Sequence, residues 1–94
     1  MRGVDLAIYA DVLCAEASSL EARAERTRSR LRQAAIERRA RAALSEVATQ
    51  RLEALGLIGG IDEAAARAEL RELEAGIAAL EELQSFVERE LSAA

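Results

Sequence analysis

Paired glutamates are the residues of this chain whose types and spacing come nearest to a catalytic apparatus. Two carboxylates that face one substrate can serve as general acid and general base, and the chain offers Glu72 with Glu74 and Glu81 with Glu82. Residues one or two positions apart point to different sides of a helix, so neither pair converges on a common point. We therefore expect that the chain is not an enzyme and has no catalytic residues.

The chain has even fewer residues that could support nucleophilic, metal or cofactor chemistry. The chain has no histidine and a single cysteine, Cys14, which excludes a Cys/His zinc site, an internal disulfide and an imidazole base. We expect Cys14 to be a small buried hydrophobe, with a reactive thiol as the alternative. The glycines at 56, 59 and 60 lack the Lys-Ser/Thr that follows a phosphate-binding loop. The sequence predicts no cofactor and no metal.

An arginine-rich stretch suggests a different chemistry, the binding of phosphates. All 13 basic residues are arginine, and eight of them lie in residues 23–41 with two glutamates, a local charge of +6. The candidate phosphate contacts are Arg28, Arg30, Arg32, Arg38, Arg39 and Arg41. No aromatic residue in this stretch offers a stacking platform for bases. A nucleic-acid-binding protein is the alternative function that this stretch supports.

Acidic residues in the second half of the chain offer these arginines another partner. Residues 61–94 hold nine acids and three arginines, a local charge of −6 within a total of −4. In an antiparallel hairpin the arginines would meet Glu81, Glu82 and Glu88, as charges beside a coiled-coil seam do. Each exposed pair contributes only about 0–1 kcal/mol. We favour such pairing, within the chain or between subunits, over contact with nucleic acid or with an acidic protein.

Helices must position all of these side chains. Alanine (22 of 94 residues), leucine, glutamate and arginine dominate and proline is absent, which favours helix almost throughout. Gly56 fits a helix C-cap and Asp62 the following N-cap. The sequence predicts a single all-α domain over residues 1–94, a coiled-coil-like antiparallel hairpin in a dimeric bundle. Its elements are a helix over about residues 4–55, a turn over 56–61 and a helix over about 63–92.

The second helix carries a heptad-like apolar seam, with steps that alternate between three and four. The seam runs through Ala66, Leu70, Leu73, Ile77, Leu80, Gln84, Val87 and Leu91. Gln84 is its one polar member, while Leu83 and Phe86 lie beside it and widen the apolar face. Gly76, inside the helix, predicts the close approach of another backbone.

The first helix is longer than its predicted partner. Folding at the glycine turn places Leu91 near Arg26, which leaves the residues before about 24 as an apolar overhang whose exposure would be unfavourable. The side chains that we expect to mediate self-association there are Leu6, Tyr9, Leu13 and Leu20. The helix either continues and pairs with a second subunit, or breaks at Ser18-Ser19, which begins a Ser-x-x-Glu capping box, to give a three-helix bundle. We favour the unbroken helix and a homodimer.

A role without catalysis follows from these features. No run of about 18 apolar residues is present, and Asp5 and Asp11 interrupt the apolar N-terminus, so we expect neither a membrane span nor a signal peptide but a cytoplasmic protein. The best-fitting function is a helical scaffold or adaptor that acts through self-association and contacts with a protein partner. Nucleic-acid binding through residues 23–41 is the alternative.

Overall fold

Three α-helices account for nearly all of the residues that the structure describes. The computed structural model describes residues 3–93, with the side chains of residues 5–93. Helix α1 spans Gly3–Ala43, α2 spans Glu46–Ala54 and α3 spans Glu63–Ala93, and no strand occurs in the described residues. The predicted all-α class is confirmed, with α1 packing on α3.

The turn between α2 and α3 has the predicted caps. Gly56 has φ +72°, its N–H donates to the Glu53 carbonyl, and the Leu57 N–H donates to the Leu52 carbonyl. These bonds form a Schellman motif, whose left-handed residue favours glycine because a Cβ there is strained. At the start of α3, the Asp62 carboxylate accepts a hydrogen bond from the backbone N–H three residues on, at 3.0 Å.

The predicted helix over residues 4–55 is divided into two. α1 ends at Ala43, and α2 begins after Ser45, whose hydroxyl accepts a hydrogen bond from the Ala48 N–H at 3.2 Å. This N-cap, followed by the carboxylate of Glu46 at the positive end of the helix dipole, stabilises a new helix start. The chain reversal is therefore spread over a short helix and a turn.

The predicted alternative, a break at Ser18-Ser19, is wrong. α1 continues through both residues, although Ser18 and Glu21 match the capping-box spacing. Both serines and Glu21 are exposed, so their polar groups are accessible to solvent and need no hydrogen bond from the helix backbone. The long first helix stays unbroken as far as Ala43.

The chain forms two compact units, and α1 and α3 contribute residues to both. The N/C unit consists of Met1–Glu25 and Arg71–Ala94, and the middle unit of Arg26–Leu70. In the N/C unit, the buried apolar side chains are Leu6, Ala24, Leu73, Leu80 and Val87. In the middle unit, Thr27, Ala34 and Ala66 are buried, so its core is made of small side chains.

The predicted seam of α3 is its packed face. The buried members are Ala66, Leu73, Leu80 and Val87, and the half-buried ones are Leu70, Ile77, Gln84 and Leu91. No member is exposed. Heptad spacing therefore identifies the side of α3 that packs, and the small Ala66 suits close packing in the middle unit.

The antiparallel register of α1 against α3 differs from the predicted one. Leu20 lies against Gly76, whereas folding at the glycine turn alone places Leu20 beyond the end of α3. Arg38 bonds Glu63, whereas the predicted register places it near residue 79. The cause is α2, which occupies nine residues before the glycine turn. The predicted N-terminal overhang consequently does not exist, because the start of α1 packs within the N/C unit.

The apolar residues in and around α2 lie outside the core. α2 buries none of its residues, and Leu44, Val47 and Leu55 are exposed. Leu57 at the turn is also exposed. These exposed side chains take no part in the core.

Candidate protein-binding groove

The N/C unit carries an open apolar groove between the first part of α1 and the last part of α3. Its volume is about 220 Å³. The residues that line it are Tyr9, Val12, Leu13, Leu83, Phe86 and Val87. The Tyr9 hydroxyl is the one polar group that these side chains carry. We call this set the apolar groove.

The walls of the apolar groove are exposed and its floor is buried. Tyr9 is 47%, Val12 59%, Leu83 48% and Phe86 46% exposed, while Val87 is 6% exposed. These neighbouring side chains keep about half of their surface in water, although α1 and α3 pack directly beneath them. Clustered exposed apolar side chains mark sites of interaction more often than single ones do.

Helical spacing explains why these side chains meet. Tyr9, Val12 and Leu13 follow the i, i+3, i+4 pattern of one helix side, and Leu83 and Phe86 lie three residues apart. The register in which Leu20 lies against Gly76 brings these two stretches opposite each other. The sequence identified Leu83 and Phe86 as residues that widen the seam, but the predicted register left Tyr9 and Val12 without a partner in the chain.

Four acids lie one helical turn from the walls of the apolar groove. On α1, Asp5 precedes Tyr9 by four residues and Glu16 follows Val12 by four. On α3, the corresponding neighbours of Phe86 are Glu82 and Glu90, and all four acids are exposed. Among the described residues, Arg89 is the one base within a turn of the groove. The rim of the groove is therefore acidic.

Charge is distributed unequally between the two units. The N/C unit contains eleven acids and four arginines, a net charge of −7. The middle unit contains six acids and nine arginines, a net charge of +3. The apolar groove thus belongs to a strongly acidic unit. The local charges of residues 23–41 and 61–94 did not reveal this, because the N/C unit combines residues from both ends of the chain.

The residues expected to mediate self-association have different surroundings. Leu6 is 3% exposed and belongs to the core of the N/C unit. Leu20 is half-buried against Gly76. Tyr9 and Leu13 line the apolar groove, so these two remain candidates for contact with another molecule. The close approach predicted at Gly76 exists, but a side chain makes it rather than a backbone.

The arginines of the candidate basic patch face acids of the middle unit. Arg30 lies 3.7 Å from Glu69 and Arg41 bonds Glu53 at 2.6 Å. Arg38 bonds Glu63. The predicted partners Glu81, Glu82 and Glu88 are wrong for these three arginines because of the register shift. Of the rest of the patch, Arg28 and Arg32 also interact with other groups, and Arg39 is exposed.

Glu63 is held by two arginines. Its carboxylate bonds Arg38 on α1, and Arg67, one turn further along α3, approaches the same oxygen at 2.5 Å. The hydrogen bond from Arg38 and the positive charges of both arginines hold the Glu63 pKa below its ordinary 4.5, against an opposing effect of desolvation. The same bond raises the pKa of Arg38. Opposite-charge pairing thus links α1 to the start of α3.

The residues considered for chemistry are dispersed on the surface. Cys14 is exposed, so its predicted burial is wrong. Glu72, Glu74, Glu81 and Glu82 are exposed too. Among the described residues, no three His, Cys, Asp or Glu side chains form a group that could hold a metal ion. None of the helices in these residues combines the length and the apolar character that a membrane span requires.

Comparisons with known proteins yield no match among family models, curated proteins or solved structures.

Proposed function

We propose that this chain is a non-catalytic helical scaffold or adaptor that binds another protein through the apolar groove. The observation that carries the proposal is the pair of half-exposed walls, Tyr9 with Val12 and Leu83 with Phe86, above a buried floor. Helix grooves of this kind bind amphipathic helices, whose apolar side chains fill them. A partner that covers these walls would gain the apolar transfer free energy that folding leaves unused.

Nucleic-acid binding through residues 23–41 remains the alternative proposal, with weaker support. Arg30, Arg38 and Arg41 lie against glutamates of their own unit. A phosphate would have to displace these carboxylates, which would cancel part of the electrostatic gain. A titration with duplex DNA at low salt tests this alternative, for which binding with a steep salt dependence is the expected result.

Self-association is no longer needed to cover an N-terminal overhang. The predicted homodimer was to cover an N-terminal overhang, but Leu6 is buried within the chain and the start of α1 packs on α3. A second copy would have to use the apolar groove instead. Light scattering of the purified chain at high micromolar concentration tests the predicted dimer directly.

A binding experiment with extract of the source cells tests the proposed function. Immobilised wild-type chain should retain a defined protein partner that Val12→Ser and Phe86→Ser variants lose. Val47→Ser supplies the matched control, because Val47 is 76% exposed and lies in the middle unit, outside the groove. Retention of the same proteins by both groove variants would contradict the proposal, as would loss with Val47→Ser alone.

A further inference from the structure

We infer that the occupant of the apolar groove is a basic amphipathic helix of a different protein, with apolar anchors between two clusters of Lys or Arg. The inference rests on the proposed function and adds the chemistry of the partner. Its first observation is the apolar groove itself, and its second, independent one is the acidic rim formed by Asp5, Glu16, Glu82 and Glu90.

The arrangement of the rim sets the spacing of the partner's charges. Asp5 and Glu16 are eleven residues apart on α1 and lie beyond opposite ends of the Tyr9–Val12 wall. At 1.5 Å per residue this separation is about 16 Å, or three helical turns. Glu90 and Glu82 occupy the corresponding positions around Phe86 on α3. A helix in the groove would therefore place its apolar anchors in the middle and its basic residues about three turns apart.

Charge also distinguishes this occupant from a second copy of the chain. Two N/C units that met groove to groove would bring together two net charges of −7, with acidic rims facing each other. Juxtaposed like charges oppose association, whereas opposite charges accelerate it and select the partner. A basic helix covers the same apolar walls and neutralises the rim.

Tyr9 provides a direct signal for occupancy. It is the only tyrosine of a chain without tryptophan, and it lies in the groove wall. The probe is a synthetic peptide of about 16 residues made of Leu and Lys, with central leucines at helical spacing and lysines at both ends. The control peptide keeps every leucine and replaces each lysine by glutamate. Neither peptide fluoresces, so the emission of Tyr9 reports binding in the groove.

The Lys peptide should change the Tyr9 emission saturably and bind at least about tenfold more tightly than the Glu peptide. Raising NaCl from about 50 to about 300 mM should weaken the Lys peptide severalfold, because the rim charges become screened. Equal affinity of the two peptides would overturn the inference. Absence of any Lys-peptide binding would overturn it as well.

Two pairs of variants separate groove binding from general attraction to an acidic protein. Glu16→Gln with Glu90→Gln should weaken the Lys peptide about tenfold, while Glu81→Gln with Glu88→Gln, the same change in net charge, should have little effect. Glu81 and Glu88 are each two positions from a wall residue and lie on another side of α3. Equal weakening by both pairs would overturn the inference, leaving only nonspecific attraction.

A dimer in light scattering that Phe86→Ser converts to a monomer would assign the groove to a second copy and overturn the inference. Failure of the basic-helix inference can also be distinguished from failure of the proposed function. If extract contains a partner that Val12→Ser and Phe86→Ser lose, while the Lys peptide does not bind, the groove binds a protein of other chemistry.

Discussion

Leu20 on α1 lies directly over Gly76 on α3, where a Cβ added to the glycine would lie only 3.3 Å from Leu20 Cδ1. Glycine in a helix interior is unfavourable by about 1 kcal/mol relative to alanine, but here it gives the leucine room. This contact lies in the register that follows from α2. In the same register, Tyr9 and Val12 lie opposite Leu83 and Phe86 and form the apolar groove with them.

The first prediction concerns the size of the side chain at position 76. Gly76→Ala should raise the free energy of unfolding by up to about 1 kcal/mol, because the half-buried end of Leu20 can move by a few tenths of an ångström. Gly76→Leu should lower it by about 1–3 kcal/mol, since Leu20 must leave its place. Urea denaturation of both variants measures the difference. If Gly76→Ala destabilised the chain as much as Gly76→Leu, Leu20 would be unable to move away from an added Cβ, which would contradict the prediction.

The second prediction concerns the pH dependence produced by Glu63. Its pKa is lowered in the folded chain, so its contribution to stability is complete above about pH 4.5 and is lost as pH falls through the folded pKa. Between about pH 6 and pH 3, the melting temperature of wild type should therefore fall further than that of Glu63→Gln. Arg38→Gln should reduce this dependence only in part, because Arg67 still lies against the Glu63 carboxylate. Glu72→Gln, which removes an exposed acid of the same helix, should retain the wild-type dependence.

The third prediction compares two serines. Ser45→Ala removes the N-cap of α2 and should cost about 1 kcal/mol of local stability, seen as faster amide hydrogen exchange over residues 46–54. Ser19→Ala removes a hydroxyl from the interior of α1, where alanine has the higher helix propensity, and should leave exchange unchanged or slower. Similar acceleration in the two variants would contradict the assignment of Ser45 as the cap.

The fourth prediction separates the packed seam of α3 from the groove wall. Leu73 is 5% exposed, so Leu73→Ala should cost about 2–5 kcal/mol in the free energy of unfolding. Leu83 lies on the same helix but is 48% exposed. Leu83→Ala should therefore lower the free energy of unfolding by less than about half as much as Leu73→Ala does. Denaturant unfolding measures both. Equal costs would mean that Leu83 belongs to the core rather than to a binding surface.

Local sequence signals predicted the parts of the fold that depend on neighbouring residues. Gly56 and Asp62 cap their helices because their side chains, or the lack of one, suit the backbone at those positions. The heptad spacing predicted the packed side of α3 because helical periodicity alone determines which residues share a side.

The register and the break in the first helix could not be predicted in the same way. Ser18 and Ser45 are both serines in helix-forming sequence, and only Ser45 begins a helix. Placing the break there adds α2 and shifts α1 along α3, which exchanges Glu81, Glu82 and Glu88 for Glu53, Glu63 and Glu69 as arginine partners. The same shift brings residues 9–13 against residues 83–87. The apolar groove therefore depends on tertiary packing, which local sequence signals do not determine.

The most direct test of the central claim, that the chain acts through its apolar groove, is site-specific photo-crosslinking in the source cells. A photoreactive phenylalanine analogue at position 86 should yield one discrete crosslinked protein, and the same analogue at position 47, which is exposed in the middle unit, should yield none. Crosslinks of equal identity and yield from both positions, or none from position 86, would contradict the claim.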